Sequence, residues 1–197
     1  MDENRTEKVI GIARKHPVTL GVGLLTLISF FIFPPSTIEI FEPLRGAAAI
    51  AAYPFKLILG SFFHFNPIHL LTNLGIWGLA GFYLEPKIGS KPLLITALLA
   101  TIFGGLLETL LINDKFVGLS AACYGLLGRI IWIKIVEDKG RSGFVQGAAF
   151  MLIFAAIDTT LNMIASPNNI AYAAHIGGLM AGFFSSLGIG KGGAADQ

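Results

Sequence analysis

Residues 57–84 read LILGSFFHFNPIHLLTNLGIWGLAGFYL and contain no Asp, Glu, Lys or Arg. A transmembrane helix needs about 20 mostly apolar residues, and this stretch is long enough to supply one. It also holds His64, His69 and Asn73, of which the last two are spaced i, i+4 and share one helix face. The stretch therefore predicts a membrane helix with polar groups on one side.

The composition of the whole chain agrees with a membrane protein. Of 197 residues, 54% are hydrophobic and 13% are charged, whereas an ordinary soluble domain has about 25% charged residues. These figures argue against a soluble globular protein or a disordered tail, and a net charge of +2 gives no reason to expect a nucleic-acid partner. The single cysteine, Cys123, cannot form an internal disulfide.

Further apolar stretches along the chain predict six membrane helices. The helices lie near residues 18–33, 67–84, 92–112, 120–136, 144–165 and 171–188. Pro34-Pro35 ends the first helix, and a turn at 166–169 separates the last two. Residues 36–63 mix charges with short apolar runs, which favours an amphipathic loop in the membrane interface between helices 1 and 2.

The predicted fold class is thus an all-α membrane protein, a six-helix bundle over residues 17–190 with short segments at 1–16 and 191–197. Lys and Arg predict its orientation. With the N-terminus inside, eleven of the 14 lie on inner segments, and only Arg45, Lys56 and Lys115 lie outside. Both ends of this multi-pass cell-membrane protein are therefore expected in the cytoplasm. A cleaved signal peptide is a weaker alternative, because acidic residues precede the first apolar run.

Polar side chains on three predicted helices fall at a similar depth. His69 and Asn73 lie on the outer part of helix 2, Ser120 begins helix 4, and His175 lies near the outer end of helix 6. A serine beside a histidine is the minimum pair of nucleophile and base. No carboxylate is obviously placed to orient the histidine, so the pattern indicates a dyad rather than a triad.

Helix 4 is short between its flanking charges, Lys115 and Arg129. The uncharged part measures roughly 20 Å as a helix, less than the ~30 Å hydrocarbon core. Either the helix begins below the outer surface, with Ser120 at the floor of a watery cavity, or its inner charges snorkel. Gly178 and Gly182 share a face with His175 on helix 6, which predicts close packing against helix 4.

These residues resemble the motifs of the rhomboid family of intramembrane serine proteases. The family's H-x-x-x-N reads His69 to Asn73, and its A-H-x-x-G-x-x-x-G reads Ala174 to Gly182. Its G-x-S-G reads Gly118-Leu119-Ser120-Ala121, followed four residues later by Tyr124. The upstream histidine of helix 2 is present as His64. The resemblance extends over helices 1 to 6, nearly the whole chain.

The resemblance implies a serine endopeptidase that needs no cofactor or metal and cuts transmembrane segments of membrane proteins within the lipid bilayer. Ser120 would be the nucleophile and His175 the general base. His69, Asn73 and the backbone N–H of Ser120 would form the oxyanion hole, while Tyr124 would pack against the imidazole ring of His175. Three glycines, Gly118, Gly178 and Gly182, would support this arrangement by allowing close packing around the site.

Two departures from the family pattern stand out. Ala121 replaces the second glycine of G-x-S-G, and its methyl group would crowd the helix packing or the substrate pocket. Phe55-Lys56 replaces a Trp-Arg pair in the first loop, and lysine lacks the bidentate fork of arginine. Neither departure removes a catalytic group.

Two other functions remain open. A catalytically inactive rhomboid-like protein would bind membrane helices, although such relatives usually lack the serine or the histidine. A small transporter could use His69, His175 and Asp158 as a proton path, but the sequence shows neither inverted repeats nor broken helix pairs.

Four further reactive residues have structural explanations. Glu108, near the outer end of helix 3, is expected to face water, and Asp158 is expected to bond to a neighbouring helix. His64 is interpreted as a residue that packs the loop, and Cys123 as inert.

Overall fold

The computed structural model describes residues 3–41, 47–112, 117–137, 141–165 and 170–188. The α-helices in these ranges are α1 (Glu3–Lys15), α2 (Pro17–Ile32), α3 (Ala47–Gly60), α4 (Pro67–Ile88), α5 (Ser90–Leu111), α6 (Ser120–Glu137), α7 (Arg141–Ala165) and α8 (Tyr172–Gly188). A 3₁₀ helix spans Pro35–Phe41 between α2 and α3. The all-helical prediction is therefore confirmed for the part of the chain that the structure describes.

The six predicted helices correspond to α2 and α4 to α8, and their ends agree to within a few residues. Two helical segments differ from the prediction. The N-terminal segment 1–16 contains α1, and the loop 36–63 contains most of the 3₁₀ helix and all of α3. The predicted turn at 166–169 and the tail at 191–197 lie outside the described residues, as do Arg45 and Lys115.

Helix ends near the site are set by proline and by side chains that cap free N–H groups. Pro67 opens α4, where its missing N–H costs nothing, and the Asn66 side chain accepts the His69 N–H at 2.9 Å. Asparagine at this position satisfies a donor that the helix itself leaves free. Earlier in the chain, α2 stops before Pro34, and Phe33 adopts the extended conformation that a following proline requires.

Helix α6 lies at the centre of the bundle and contacts α4, α5, α7 and α8. Residues 117–131, which include the end of the preceding loop and the first part of α6, are all buried. The surrounding helices turn large apolar side chains outward, among them Phe31, Leu79, Leu110, Leu152 and Ile164. So much exposed apolar surface is rare in soluble monomers, and it matches a bundle that sits in lipid.

Two of the described helices are long and apolar enough to cross a membrane, over Ser90–Leu111 in α5 and Ser142–Ile164 in α7. A third candidate combines α1 and α2, which meet at a bend of 92°. Helices α6 and α8 have 18 and 17 residues. These two helices pack most extensively against each other, and α8 also packs closely against α5. This packing buries the polar side chains that lie between α6 and α8, including Ser120 and His175.

Small residues let α6 and α8 approach closely. A Cβ added at Gly178 would collide with the backbone oxygen of Ala121, and one added at Gly182 would collide with that of Gly125. The sequence predicts this packing from the glycine spacing, and the structure has it. The contact brings the first turn of α6 against the first turns of α8.

Candidate active site

Three of the predicted site residues line one small cavity at the start of α6. His69 from α4, Ser120 from α6 and His175 from α8 face it, together with Val117, Asn162, Ile170 and Ala171. The cavity measures about 10 Å³, which is close to the minimum that holds one water molecule. Ser120 is 4% exposed, so the structure brings a nucleophile-type and a base-type side chain together in a buried pocket.

The loop before Ser120 depends on Gly118. Its φ of +102° lies in the left-handed region that favours glycine. A Cβ at this position would lie 2.6 Å from Cε1 of His69 and 3.5 Å from Nδ2 of Asn73. Glycine therefore lets both predicted oxyanion donors approach the backbone two residues before the serine.

Asn73 is completely buried. Within the described ranges, neither its Nδ2 nor its Oδ1 has a hydrogen-bond partner, and the same holds for Nδ1 of His69. Buried side-chain polar atoms without partners are rare in folded proteins and call for an explanation, such as a catalytic role. A donor held ready for a reacting oxygen is such an explanation.

His175 is held by Tyr124. The two rings stack with centroids 4.3 Å apart and an interplanar angle of 12°. Tyr124 lies one turn after Ser120 on α6, so serine and tyrosine share a face. Among the hydrogen bonds of the described residues, none joins Ser120 directly to His175. In resting enzymes that bond is often long and tightens only in the complex with substrate.

Asp158 on α7 also reaches this cluster. Its Oδ2 accepts a hydrogen bond of 3.2 Å from the Tyr124 hydroxyl and lies 3.9 Å from Nδ1 of His175. The prediction that Asp158 bonds to a neighbouring helix is confirmed. The expectation that no carboxylate lies beside His175 is corrected, because α7 packs against α6 and brings Asp158 within 3.9 Å of the imidazole. The i, i+4 pair of Asp158 and Asn162 was the sequence signal that could have indicated a polar face on this helix.

Glu108 does not face water, so that prediction is wrong. It is 3% exposed, and its Oε2 accepts the backbone N–H of Ala174 at 2.9 Å. Ala174 is in the first turn of α8, where backbone N–H groups have no partner within the helix and the positive end of the helix dipole attracts a carboxylate. Glu108 thus holds the end of α8 that carries His175.

His64 packs against the loop, as predicted. Its Nε2 accepts the Leu119 N–H at 3.4 Å, and its ring lies 4.8 Å from that of His69. His64 lies before the start of α4. Burial of its ring, and secondly the charge of the nearby His69, lower the pKa of His64 to about 3. His64 is therefore neutral near pH 7 and can accept this bond. Within the described residues, no three or more His, Cys, Asp or Glu side chains form a group that could hold a metal ion.

Two remaining features concern Cys123 and Ala121. Cys123 is fully buried and its Sγ donates to the carbonyl of Asn73 at 3.4 Å.

Ala121 packs with Leu57 and Ala174 in a small apolar cluster. Its methyl lies 3.1 Å from the point that a Cβ on Gly104 would occupy. Glycine at 104 therefore makes room for the methyl group that departs from the family motif.

Comparison with known proteins identifies the family. A family model described as the rhomboid domain matches residues 51–192, well over half of the chain. Rhomboid protease GlpG of Yersinia pestis (strain Pestoides F) is 31% identical over 138 residues, which cover 68% of this chain and 47% of that protein. Rhomboid protease GlpG of Pectobacterium atrosepticum is 27% identical over 177 residues, covering 87% of this chain and 62% of that protein.

The chain spans about half the length of the Yersinia relative that it matches. The domain match nevertheless includes all the predicted site residues, from His69 to Gly182. The resemblance inferred from the motifs is confirmed, and the chain belongs to the rhomboid family of membrane proteins.

Proposed function

We propose that this chain is an intramembrane serine endopeptidase that cleaves transmembrane segments of membrane proteins. The observation that carries the proposal is the meeting of Ser120, His175 and His69, from three helices, in one buried cavity. The similarity to rhomboid proteases of Yersinia and Pectobacterium supports the same activity.

In the first step, Ser120 Oγ attacks the carbonyl carbon of the scissile peptide bond. Nε2 of His175 takes the hydroxyl proton as the new C–O bond forms. The carbonyl π electrons move onto oxygen, and the side chains of His69 and Asn73 and the backbone N–H of Ser120 donate to that oxyanion. One such donor contributes about 2.7–4 kcal/mol to lowering the barrier.

In the second step, the C–N bond breaks and His175 returns its proton to the leaving amine. The carbonyl carbon stays on Ser120 as an ester. A water molecule then attacks this ester while His175 takes a proton from it, and collapse of the second intermediate regenerates the serine hydroxyl and releases the carboxylic acid. These steps use the side chains of the chain and one water, and they need no cofactor.

The substrate would approach from lipid, because the outer faces of the bundle are apolar. A cavity of about 10 Å³ cannot hold a peptide bond and its flanking residues, so the elements around it must separate when substrate enters. A substrate helix must also unwind before its backbone can reach Ser120. Family resemblance implies small residues at the cut and helices that unwind easily.

Placement in the cell membrane follows from the same proposal. Six helices, α2 and α4 to α8, would cross the bilayer, with α6 at the centre of the bundle and α8 packed against α5 and α6. Residues 17–190 would form the membrane domain, with 1–16 and 191–197 in the cytoplasm. The segment that contains the 3₁₀ helix and α3 would lie in the interface on the outer side.

The test uses the purified chain in liposomes with a single-span model substrate. Ser120→Ala and His175→Ala should each abolish cleavage, and the double variant should be no worse, because members of one catalytic unit are not additive. The matched control is Ser186→Ala, since Ser186 is also buried but its hydroxyl bonds to the carbonyl of Gly182 at 3.2 Å.

A fluorophosphonate probe provides the second readout, because it should label the wild type at Ser120 and leave Ser120→Ala unlabelled. Full cleavage by Ser120→Ala would overturn the mechanism. A folded wild type that binds the substrate but neither cleaves nor labels would instead be a catalytically inactive helix-binding member of the family.

A further inference from the structure

We propose that Asp158 is a positioning residue for His175, so that the site works with a serine, a histidine and a carboxylate. This inference rests on the proposed protease function and adds a third member to its dyad. Asp158 is 1% exposed, and its Oδ2 lies 3.9 Å from Nδ1 of His175. The side of the imidazole that faces Asp158 is therefore the Nδ1 side, which leaves Nε2 for Ser120.

The carboxylate is fixed in place by two other helix positions. Its Oδ1 accepts Nδ2 of Asn162 at 2.8 Å, one turn further along α7. Its Oδ2 accepts the Tyr124 hydroxyl at 3.2 Å, and the Tyr124 ring is the one that stacks on His175. From its place on α7, one carboxylate thus contacts both the Tyr124 hydroxyl on α6 and the imidazole of His175 on α8.

This arrangement matches what a general-base histidine requires. Nε2 can take the serine proton only in the tautomer that carries its own proton on Nδ1. A carboxylate on the Nδ1 side favours that tautomer and stabilises the imidazolium that forms during attack, without taking the proton itself. A movement of about 1 Å would shorten the contact to an ordinary hydrogen bond, and such shortening on substrate binding is common at catalytic sites.

A purely structural role does not account for the charge. A carboxylate inside a membrane bundle is costly, and a neutral side chain could join α6 to α7 at less cost, as amides and hydroxyls do between membrane helices. Asn162 and Tyr124 each donate to the Asp158 oxygens, which suits a carboxylate that only accepts, and Nδ1 of His175 faces the same carboxylate at 3.9 Å. The charge therefore serves His175, where positive charge develops during the reaction.

The test compares Asp158→Asn with wild type in the liposome assay. Asparagine keeps the shape of the side chain and an acceptor but removes the charge. We expect kcat and the rate of fluorophosphonate labelling at Ser120 to fall about 10- to 100-fold, a large part of what general-base catalysis contributes, while KM changes less than twofold. The matched control is Glu85→Gln, which removes a buried carboxylate that bonds Val18 and Thr19 of α2 and no side chain of the site among the bonds described. Its kcat should equal that of wild type.

A second variant covers the case in which Asp158→Asn does not fold. Tyr124→Phe keeps the stacked ring and removes the hydroxyl that donates to Asp158. It should also slow labelling, and the double variant should be no slower than Asp158→Asn, because both act through one unit. Nitrogen NMR of labelled histidine gives a readout independent of cleavage. The His175 signal, assigned by its loss in His175→Gln, should report a proton on Nδ1 in wild type and a mixture of tautomers in Asp158→Asn.

The outcomes separate this inference from the proposed function. If wild type labels at Ser120 and folded Asp158→Asn labels at the same rate, the protease function stands and the role of Asp158 is overturned. If Asp158→Asn does not fold, an unchanged labelling rate in Tyr124→Phe overturns it equally. If wild type does not label, the proposed function fails, and the tautomer of His175 alone decides whether Asp158 orients the ring.

Discussion

Glu108 Oε2 accepts a hydrogen bond of 2.9 Å from the backbone N–H of Ala174, the residue directly before His175. Glu85 does the same for α2, accepting the N–H groups of Val18 and Thr19 at 2.8 Å each. Each glutamate lies on one helix and satisfies the free donors of another. Inside a bundle where water is excluded, such donors must find a partner in the protein, so these two carboxylates fix where α2 and α8 begin.

Removing the Glu108 carboxylate should loosen the start of α8. We expect Glu108→Ala to lower the free energy of unfolding by about 1–3 kcal/mol, because a buried N–H loses its acceptor, and to slow cleavage through displacement of His175. Glu108→Gln keeps an acceptor and should lose less in both respects. Thermal unfolding and cleavage rates of the two variants check this. An unchanged melting temperature in Glu108→Ala would show that the bond to Ala174 contributes nothing.

Asn73→Ala tests the oxyanion donors. The variant should lower kcat by roughly 10- to 1000-fold with little change in KM, because the donor acts mainly on the charge that develops in the transition state. Thr72→Ala is the control on the same helix, since the Thr72 hydroxyl bonds to the backbone carbonyls of Ile68 at 3.0 Å and His69 at 3.1 Å and to no side chain of the site among the bonds described. Steady-state kinetics on the model substrate give both constants. A change in KM alone would make Asn73 a substrate-binding residue.

Gly118→Ala tests the turn before Ser120. The added methyl would lie 2.6 Å from Cε1 of His69, so the loop or the histidine must shift, and misplacement by about 1 Å can cost on the order of 100-fold in rate. Gly89→Ala is a close control, because Gly89 also has a positive φ of 87° but its nearest neighbour would be Cδ of Pro92 at 3.7 Å. Both variants should lose about 1–3 kcal/mol of stability from backbone strain. Only Gly118→Ala should lose activity, and equal kcat values would contradict this.

Helix positions could be predicted because the membrane imposes a length and excludes charge. The six apolar stretches match α2 and α4 to α8, and the depth of polar residues along them places His69, Ser120 and His175 together. Helices α1 and α3 were missed because they are short, and because helices that do not span need no long charge-free run. For them the hydrophobic pattern gives a much weaker signal.

Partners of buried charges could not be predicted, because those contacts join residues far apart in sequence. Glu108 and Ala174 are separated by 66 positions, and so are Glu85 and Thr19. No local spacing encodes such a pair. Asp158 and His175 lie on consecutive helices, yet their meeting depends on how α7 rotates about its axis, which charge counting does not determine.

Gly178→Val tests whether the glycine face of α8 sets the distance between Ser120 and His175. A Cβ at Gly178 would collide with the backbone oxygen of Ala121, directly after the serine, so the helices must separate by something on the order of 1 Å, enough to cost about 100-fold in rate. Membrane insertion should persist because valine is apolar and the helix keeps its backbone bonds. We therefore expect normal expression, a lower melting temperature and strongly reduced cleavage.

The matched control is Gly78→Val on α4, where an added Cβ would meet nothing within 4 Å. It carries the same loss of glycine and the same gain of a β-branched side chain in a helix, so its melting temperature and cleavage rate should stay close to those of wild type. Wild-type cleavage by Gly178→Val would mean that α8 can move away from α6 without displacing His175. In that case Tyr124 and Glu108, rather than the glycine contact, would hold the histidine in place.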